Sequence, residues 1–78
     1  MLVNHIQRDL QMDSPIEVAV SFFGSQSQLA RKLGVNRSTV NSWIHGRNRI
    51  PAEKAVSIEK LTNSLVTRND LRPDLFNQ

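Results

Sequence analysis

Residues 25–46 of the chain read SQSQLARKLGVNRSTVNSWIHG, and this segment determines the architecture that the flanking sequence supports. It holds two short stretches of helical periodicity, separated by Gly34, Val35 and Asn36. Ser25 and Asn36 are residue types that begin helices, and glycine is the type that most often follows a helix end. The segment therefore predicts two helices joined by a three-residue turn, which is a helix-turn-helix.

The small residues of this segment fit the steep crossing of such a pair. Ala30 stands where the second helix is expected to pass close, so that only a small side chain fits. Gly34 begins the turn, because a positive φ is favourable only without a Cβ atom. The positions expected to join the pair to the core are Leu29, Leu33, Val35, Val40 and Trp43. The alternatives are an ordinary pair of bundle helices and a helix-turn-helix that contacts only proteins.

Helix signals flank the segment on both sides. Before it, residues 14–17 (Ser-Pro-Ile-Glu) predict a capping box and a helix that ends at Gly24. The buried stripe of that helix is expected at Ile16, Ala19, Val20 and Phe23. After it, Pro51 is predicted to hold the first position of a fourth helix. The residues expected to face inward from the fourth helix are Ala55, Ile58 and Leu61.

The signal weakens after Asn63. Thr67 with Asp70 three residues later suggests a further helix cap, whereas residues 65–67 (Leu-Val-Thr) could equally form a short strand. Asp70 and Asp74 are expected to serve this cap and to pair with Arg68 or Arg72, rather than to form an acid–base pair. The fold class predicted is all-α, a small bundle of four to five helices. Its C-terminal segment is a short helix or, alternatively, a β-hairpin.

The length of 78 residues predicts one small domain. Residues 1–12 carry apolar side chains at near-helical spacing without a cap, and they are interpreted as an N-terminal tail or an extra helix. Residues 13–78 are predicted to form the helix-turn-helix domain.

Several classes of protein are disfavoured by composition. The chain has no cysteine, and its two histidines, His5 and His45, are far apart in sequence, so that neither a metal site nor a cofactor is expected. No nucleophile–base pair or glycine-rich phosphate loop supports an enzyme. No apolar run is long enough to span a membrane, and a cytoplasmic location is expected.

The basic charge is concentrated in the middle of the chain. The formal net charge is +3, whereas residues 26–54 hold six basic residues against one acidic residue, Glu53. This distribution favours a polyanionic partner. A third helix is predicted from Arg37 to about His45, and its outward positions are all polar. Arginine can pair with guanine, asparagine with adenine and serine with either in the DNA major groove. The residues predicted to read bases are Arg37, Ser38, Asn41 and Ser42.

A second polar set surrounds that helix. Gln26 and Ser27 begin the second helix, whose N-terminal amides are suited to a DNA phosphate. Arg47 and Arg49 follow the third helix and can contact the flanking strand, although a solvated loop is the alternative for them. The residues predicted to contact phosphates are Gln26, Ser27, Asn36, His45, Arg47 and Arg49.

Apolar residues near the C-terminus suit a contact between subunits. One small module reads only a few base pairs, which favours a homodimer. The predicted interface residues are Leu65, Val66, Leu71, Leu75 and Phe76. They could instead complete the core of the monomer.

The chain from Pro15 to Phe76 resembles the YdaS-like and Cro-like helix-turn-helix regulators of phages and prophages. The residues that carry the resemblance are Pro15-Ile16-Glu17, Gly24-Ser25-Gln26, Leu29-Ala30, Leu33-Gly34-Val35, Val40, Trp43, Gly46-Arg47, Arg49-Ile50-Pro51-Ala52-Glu53 and Asp70-Leu71-Arg72-Pro73-Asp74. The resemblance implies a small repressor of the lambda-repressor-like (Cro) type that binds a pseudo-palindromic operator as a dimer, in a bacterial or phage-infected cell. The alternative is a DNA-binding antitoxin, or a protein-interaction component of a toxin–antitoxin or lysogeny module.

Overall fold

The structure, a computed structural model, describes residues 14–76, which form six helices and contain no strand. The helices are α1 (Pro15–Phe23), α2 (Gln26–Leu33), α3 (Arg37–Ile44), α4 (Ala52–Leu61), α5 (Arg68–Leu71) and α6 (Pro73–Phe76). The predicted all-α class is confirmed, and the alternative of a C-terminal β-hairpin is wrong. None of these helices is long and apolar enough to cross a membrane. The tail or extra helix predicted at residues 1–12 lies outside the described residues.

Helix α1 begins with the predicted capping box. The Glu17 amide donates to Ser14 Oγ at 3.3 Å, and the Ser14 amide donates to the Glu17 carboxylate at 3.0 Å. Pro15 holds the first helical position, where no amide hydrogen is needed. The helix therefore starts where local sequence alone specifies it, and it ends at Gly24 as expected.

The turn between α2 and α3 has the predicted form. Gly34 adopts a φ of 71°, and its amide donates to the carbonyls of Ala30 and Arg31. The next amide, that of Val35, donates to the Ala30 carbonyl at 3.0 Å. Asn36 holds the N-cap position of α3 with an extended backbone, but its side chain makes no capping hydrogen bond. The helix-turn-helix is thus confirmed, with α3 started by backbone conformation rather than by a side-chain cap.

The core lies between the helix-turn-helix and the helices that flank it. Its buried side chains are Ile16, Ala19, Leu29, Ala30, Leu33, Val40, Trp43, Ile50, Ala55, Ile58 and Val66. Ala30 is only 3% exposed, which agrees with its predicted place at the close approach of two helices. The predicted inward orientation of Leu61 is wrong, because its side chain is 42% exposed. Pro51 is the N-cap of α4, one position before the place expected for it.

Thr62, rather than Leu61, is the buried residue at the C-terminal end of α4, and its hydroxyl links the last turn to the chain that follows. Its hydroxyl donates to the Ile58 carbonyl at 2.8 Å and accepts from the Val66 amide at 3.2 Å. Between these partners Asn63 and Ser64 adopt positive φ angles of 57° and 66°. Residues 65–67 therefore do not form the strand considered for them, since the two left-handed residues before them reverse the chain.

The last two helices are single turns held by polar contacts. Thr67 and Asp70 form the predicted capping box at the start of α5. Pro73 begins α6, and because a proline disfavours helical backbone before it, the segment divides at Arg72. Arg68 donates to Glu59 from its amide at 2.7 Å and from Nε at 3.0 Å, which lowers the pKa of Glu59. Hydrogen bonds thus tie α5 to α4.

The Thr62→Val variant tests the closure of α4. Valine keeps the shape of threonine but leaves the buried Val66 amide without its acceptor, so we expect the free energy of unfolding to fall by about 1–3 kcal/mol. The matched control is Ser57→Ala, because Ser57 Oγ makes the same type of bond to the Glu53 carbonyl at an exposed site. We expect a change below about 0.5 kcal/mol there. Urea denaturation measures both values, and equal midpoints for the two variants would contradict this assignment.

Candidate nucleic-acid interface

Helix α3 presents a polar face on the side opposite its buried residues. Val40 and Trp43 point into the core. Arg37 and Ser38 are exposed on the first turn, Asn41 and Ser42 are half-buried on the second, and His45 is exposed just after the helix. All five side chains lie on the face that helical spacing predicts. The face is therefore a continuous polar strip along the whole of α3.

Asn41 is at the centre of a hydrogen-bond network on this strip. Its Nδ2 atom donates to Gln26 Oε1 at 3.3 Å. Its Oδ1 atom accepts from Arg47 Nη1 at 3.5 Å. The structure thus brings one predicted base reader together with two predicted phosphate contacts. Each of the two Asn41 amide atoms makes one hydrogen bond, which leaves one N–H on Nδ2 and one lone pair on Oδ1 for pairing with an adenine.

Ser42 is joined to the loop that follows α3. Its Oγ accepts a hydrogen bond from Asn48 Nδ2 at 3.1 Å, and the Arg47 amide donates to the Ser42 carbonyl at 2.9 Å. Asn48 was not among the residues selected from the sequence, although its place between two arginines was a signal for it. The loop therefore folds back onto the polar strip.

The remaining predicted phosphate contacts surround the strip without sharing its network. Ser27 is exposed near the start of α2, and Asn36 is exposed in the turn before α3. Ser25 Oγ accepts from the Gln28 amide at 3.1 Å, which satisfies one N-terminal donor of α2. Arg49 is exposed in the loop after α3. The structure thus brings cations and polar groups to both ends of α3.

Arg49 is engaged in an ion pair that the sequence did not predict. Its Nη1 atom lies 3.0 Å from Asp74 Oδ2, and the Arg49 side chain is 77% exposed. Arg72 binds the same carboxylate through Nε at 2.9 Å and Nη2 at 2.6 Å, which confirms the predicted pairing of these two residues. Arg68, by contrast, pairs with Glu59 rather than with an aspartate.

The Arg72 bond dominates the electrostatics of this cluster. Hydrogen bonding by Arg72 is the main cause that lowers the pKa of Asp74 from 3.8 to about 2, and the charge of Arg49 adds a smaller effect. The same bond raises the pKa of Arg72. Arg72 Nη1 also donates to the Ile50 carbonyl at 2.7 Å. The cluster thereby attaches the loop after α3 to the C-terminal helices.

The five residues predicted for a subunit interface divide into three groups by burial. Val66 is 2% exposed and belongs to the core, so the prediction that it contacts a second subunit is wrong. Leu71 and Phe76 are half-buried and pack against the core. Leu65 and Leu75 are 58% and 51% exposed. Phe22 and Leu61 are also exposed apolar residues, and neither is among the residues predicted for an interface.

Within residues 14–76, no cluster of acidic and histidine side chains is arranged to hold a metal ion. The candidate interface presents hydrogen-bonding and positively charged side chains. Arginine, asparagine and serine side chains on a helix, with arginines beside them, suit recognition of a polyanion with hydrogen-bonding edges.

The chain is similar to known proteins in both sequence and structure. A family described as "Bacterial toxin YdaS" matches residues 16–78. The chain belongs to this family. YdaS of Escherichia coli (strain K12), named as a candidate transcriptional regulator, is 44% identical over 57 residues. That match covers 73% of this chain but only 58% of the Escherichia coli protein.

Two further relatives are Cro proteins. The regulatory protein Cro of Pseudomonas phage D3 is 37% identical over 54 residues, covering 69% of this chain and 74% of that protein. The solved structure of the Cro protein from prophage element Xfaso 1 in Xylella fastidiosa strain Ann-1 matches with a TM-score of 0.75 and 42% identity. It covers 83% of this chain and 98% of that one. The predicted YdaS-like and Cro-like resemblance is confirmed, and these relatives are regulators rather than enzymes.

The titration of Asp74 tests the cluster around Arg72. Because its pKa is lowered in the folded chain, the Asp74 pair stabilises the fold above about pH 4, and this stabilisation is lost as the pH falls towards 2. We expect carboxyl ¹³C NMR to give a midpoint near 2. In Arg72→Gln the midpoint should move towards 3.8, because the main cause of the shift is removed. The matched Arg49→Gln variant should move it less, and the reverse order would contradict the assignment.

Proposed function

We propose that the chain is a transcriptional repressor that binds operator DNA through α3 in the major groove. The single observation that carries this proposal is the polar strip on α3, which lies on a helix-turn-helix and is flanked by arginines. The names of the related regulator and Cro proteins support it. A bound repressor blocks polymerase by occupying the promoter.

The base-reading residues in this proposal are Arg37, Ser38, Asn41 and Ser42. Arg37 and Ser38 are exposed on the first turn of α3, the part of a recognition helix that reaches base edges most directly. Arg37 also stands at a helix N-terminus, where its charge opposes the helix dipole. Stability of the free helix therefore does not explain an arginine at this position, whereas pairing with guanine does.

The phosphate contacts in this proposal come from both ends of α3. Gln26, Ser27 and the N-terminal amides of α2 face one strand. Arg47 and Arg49, with His45, face the strand beyond the other end of α3, and Asn36 lies between the two sets. The Gln26–Asn41 bond links the two classes of contact, because it orients a base reader from the phosphate-binding end of α2.

The proposed state on DNA is a homodimer. A single α3 reads only a few base pairs, whereas two related by a twofold axis enter successive major grooves about 34 Å apart. Leu65 and Leu75 are apolar and more than half exposed, which suits them to a contact between subunits, and Leu71 and Phe76 are half-buried against the core. We further propose that residues 13–78 form the DNA-binding domain, acting at the nucleoid of a bacterial or phage-infected cell.

A second candidate function is membership of a toxin–antitoxin or lysogeny module in which a protein partner is the main target. The description of the family as a bacterial toxin favours it. That description names a toxin, whereas the sequence suggested an antitoxin as the alternative. The two functions are compatible, since a regulator of a promoter can also bind a partner protein.

Selection of duplexes from a random DNA pool tests the proposed function. We expect enrichment at about 150 mM salt, where non-specific binding is weak. An inverted repeat with half-sites about one helical turn apart would support the dimer. A single enriched half-site would support a monomeric reader. No enrichment by a chain whose folding is verified by circular dichroism would contradict the repressor and favour the second candidate.

Substitutions at the two classes of residue should differ in kind. Arg37→Ala or Asn41→Ala should relax discrimination at particular base pairs, by about 1–3 kcal/mol each. Arg49→Ala should weaken binding to all duplexes equally and reduce the salt slope by about 0.9. The control is Lys60→Ala, which removes an exposed cation of α4 outside the proposed interface. Equal weakening of all sequences by Arg37→Ala would reassign that residue to the DNA backbone.

A further inference from the structure

Asp74 pairs with two arginines that differ greatly in exposure and in their number of hydrogen bonds. Arg72 is only 14% exposed and makes three hydrogen bonds, two to Asp74 and one to the Ile50 carbonyl. Arg49 is 77% exposed and meets Asp74 through the single contact from Nη1 to Oδ2. Arg72 is therefore fixed in the structure, whereas Arg49 is held by one exposed ion pair.

The Asp74 carboxylate offers Arg49 the same chemistry that a DNA phosphate offers. Both are oxyanions that accept charge-assisted hydrogen bonds from a guanidinium. We propose that Asp74 is an internal competitor of the DNA backbone for Arg49, and so limits the affinity of the chain for DNA of any sequence. This inference rests on the proposed function, in which Arg49 contacts a phosphate.

The geometry allows Arg49 to leave without an unpaired buried charge. When Arg49 turns to a phosphate, both oxygens of Asp74 keep their hydrogen bonds from Arg72. The Ile50 carbonyl also keeps its bond from Arg72, so the loop stays attached to the C-terminal helices. Exchange therefore costs one exposed ion pair and leaves the fold unchanged.

The competition is present at every physiological pH. The pKa of Asp74 is lowered to about 2, so its carboxylate stays charged at physiological pH. The competition also acts on a backbone contact, which carries no base information. It should therefore lower specific and non-specific affinity by the same factor and leave base discrimination unchanged.

Four full-length proteins test the inference: the wild-type chain, Asp74→Asn, Arg49→Gln and the double variant. The probes are a mixed-sequence duplex and the duplex selected from the random pool, with binding followed by fluorescence anisotropy. Asp74→Asn should increase affinity for both duplexes about two- to fivefold, the factor that an exposed ion pair is worth. In the Arg49→Gln background the same substitution should give no comparable gain.

The matched control is Glu53→Gln. It removes one negative charge near the same loop, and within residues 14–76 Glu53 makes no ion pair with an arginine. Its effect measures the gain that comes from net charge alone. A gain from Asp74→Asn no larger than this control, or equal in both Arg49 backgrounds, would overturn the inference. A loss of affinity in both backgrounds would also overturn it, by assigning Asp74 a structural role only.

A second measurement needs no substitution of Asp74. The carboxyl ¹³C resonance of Asp74 should shift when the wild-type chain binds the mixed-sequence duplex, because Arg49 leaves it, and should stay in place in Arg49→Gln. Binding without this shift would overturn the inference while leaving the proposed function intact. If the folded wild-type chain binds neither duplex, the proposed function fails and this inference fails with it.

Discussion

The close crossing of α2 and α3 is the constraint on which the rest of the structure depends. It requires a small side chain at Ala30 and a left-handed residue at Gly34, because a larger side chain or a forward-continuing helix would separate the two elements. Lys54 Nζ donates to the Leu33 carbonyl at 3.0 Å, so that α4 closes the same helix end with a positive charge. Because this crossing fixes the orientation of α3, Val40 and Trp43 are buried in the core and the opposite face of α3 is exposed to solvent.

The polar strip on α3 is ordered before any ligand arrives. Gln26, Asn41 and Arg47 form one chain of hydrogen bonds, and Ser42 with Asn48 forms a second. These bonds restrict side chains that would otherwise sample many rotamers, which reduces the entropy lost on binding. Asn41 and Ser42 are thereby held in place while each keeps further donor or acceptor positions for a ligand.

Much of the fold could be predicted because its signals are local. The capping boxes at Ser14 and Thr67 and the turn at Gly34 each depend on residues within three or four positions. The prediction for Leu61 is wrong because helical spacing allows either Leu61 or Thr62 to face inward at the end of α4, and Thr62 is the buried one. The reversal at Asn63 and Ser64 carries no glycine, and only Asn63 is of a type that often adopts a positive φ, so the sequence signal for it is weak.

The candidate site shows the same division between local and distant information. The polar face of α3 and the pairing of Arg72 with Asp74 follow from short spacings. The Arg49–Asp74 contact joins residues 25 positions apart, and only tertiary structure brings them together. Burial of Val66 is likewise a tertiary property, since an apolar side chain in an irregular segment suits a core and an interface equally well.

The single-turn helices α5 and α6 have a thermodynamic consequence for the whole molecule. A helix of four residues is not stable in isolation, so α5 and α6 depend on contacts with side chains elsewhere in the chain. Here the contributors are Glu59 on α4, through Arg68, and the Ile50 carbonyl beside the arginine loop, through Arg72. Opening of this C-terminal unit alone would change both the charge around Arg49 and the apolar surface at Leu75. The folding of the two C-terminal helices and the ion pairing of Arg49 are thus linked equilibria. A ligand that shifts one of them therefore also shifts the other.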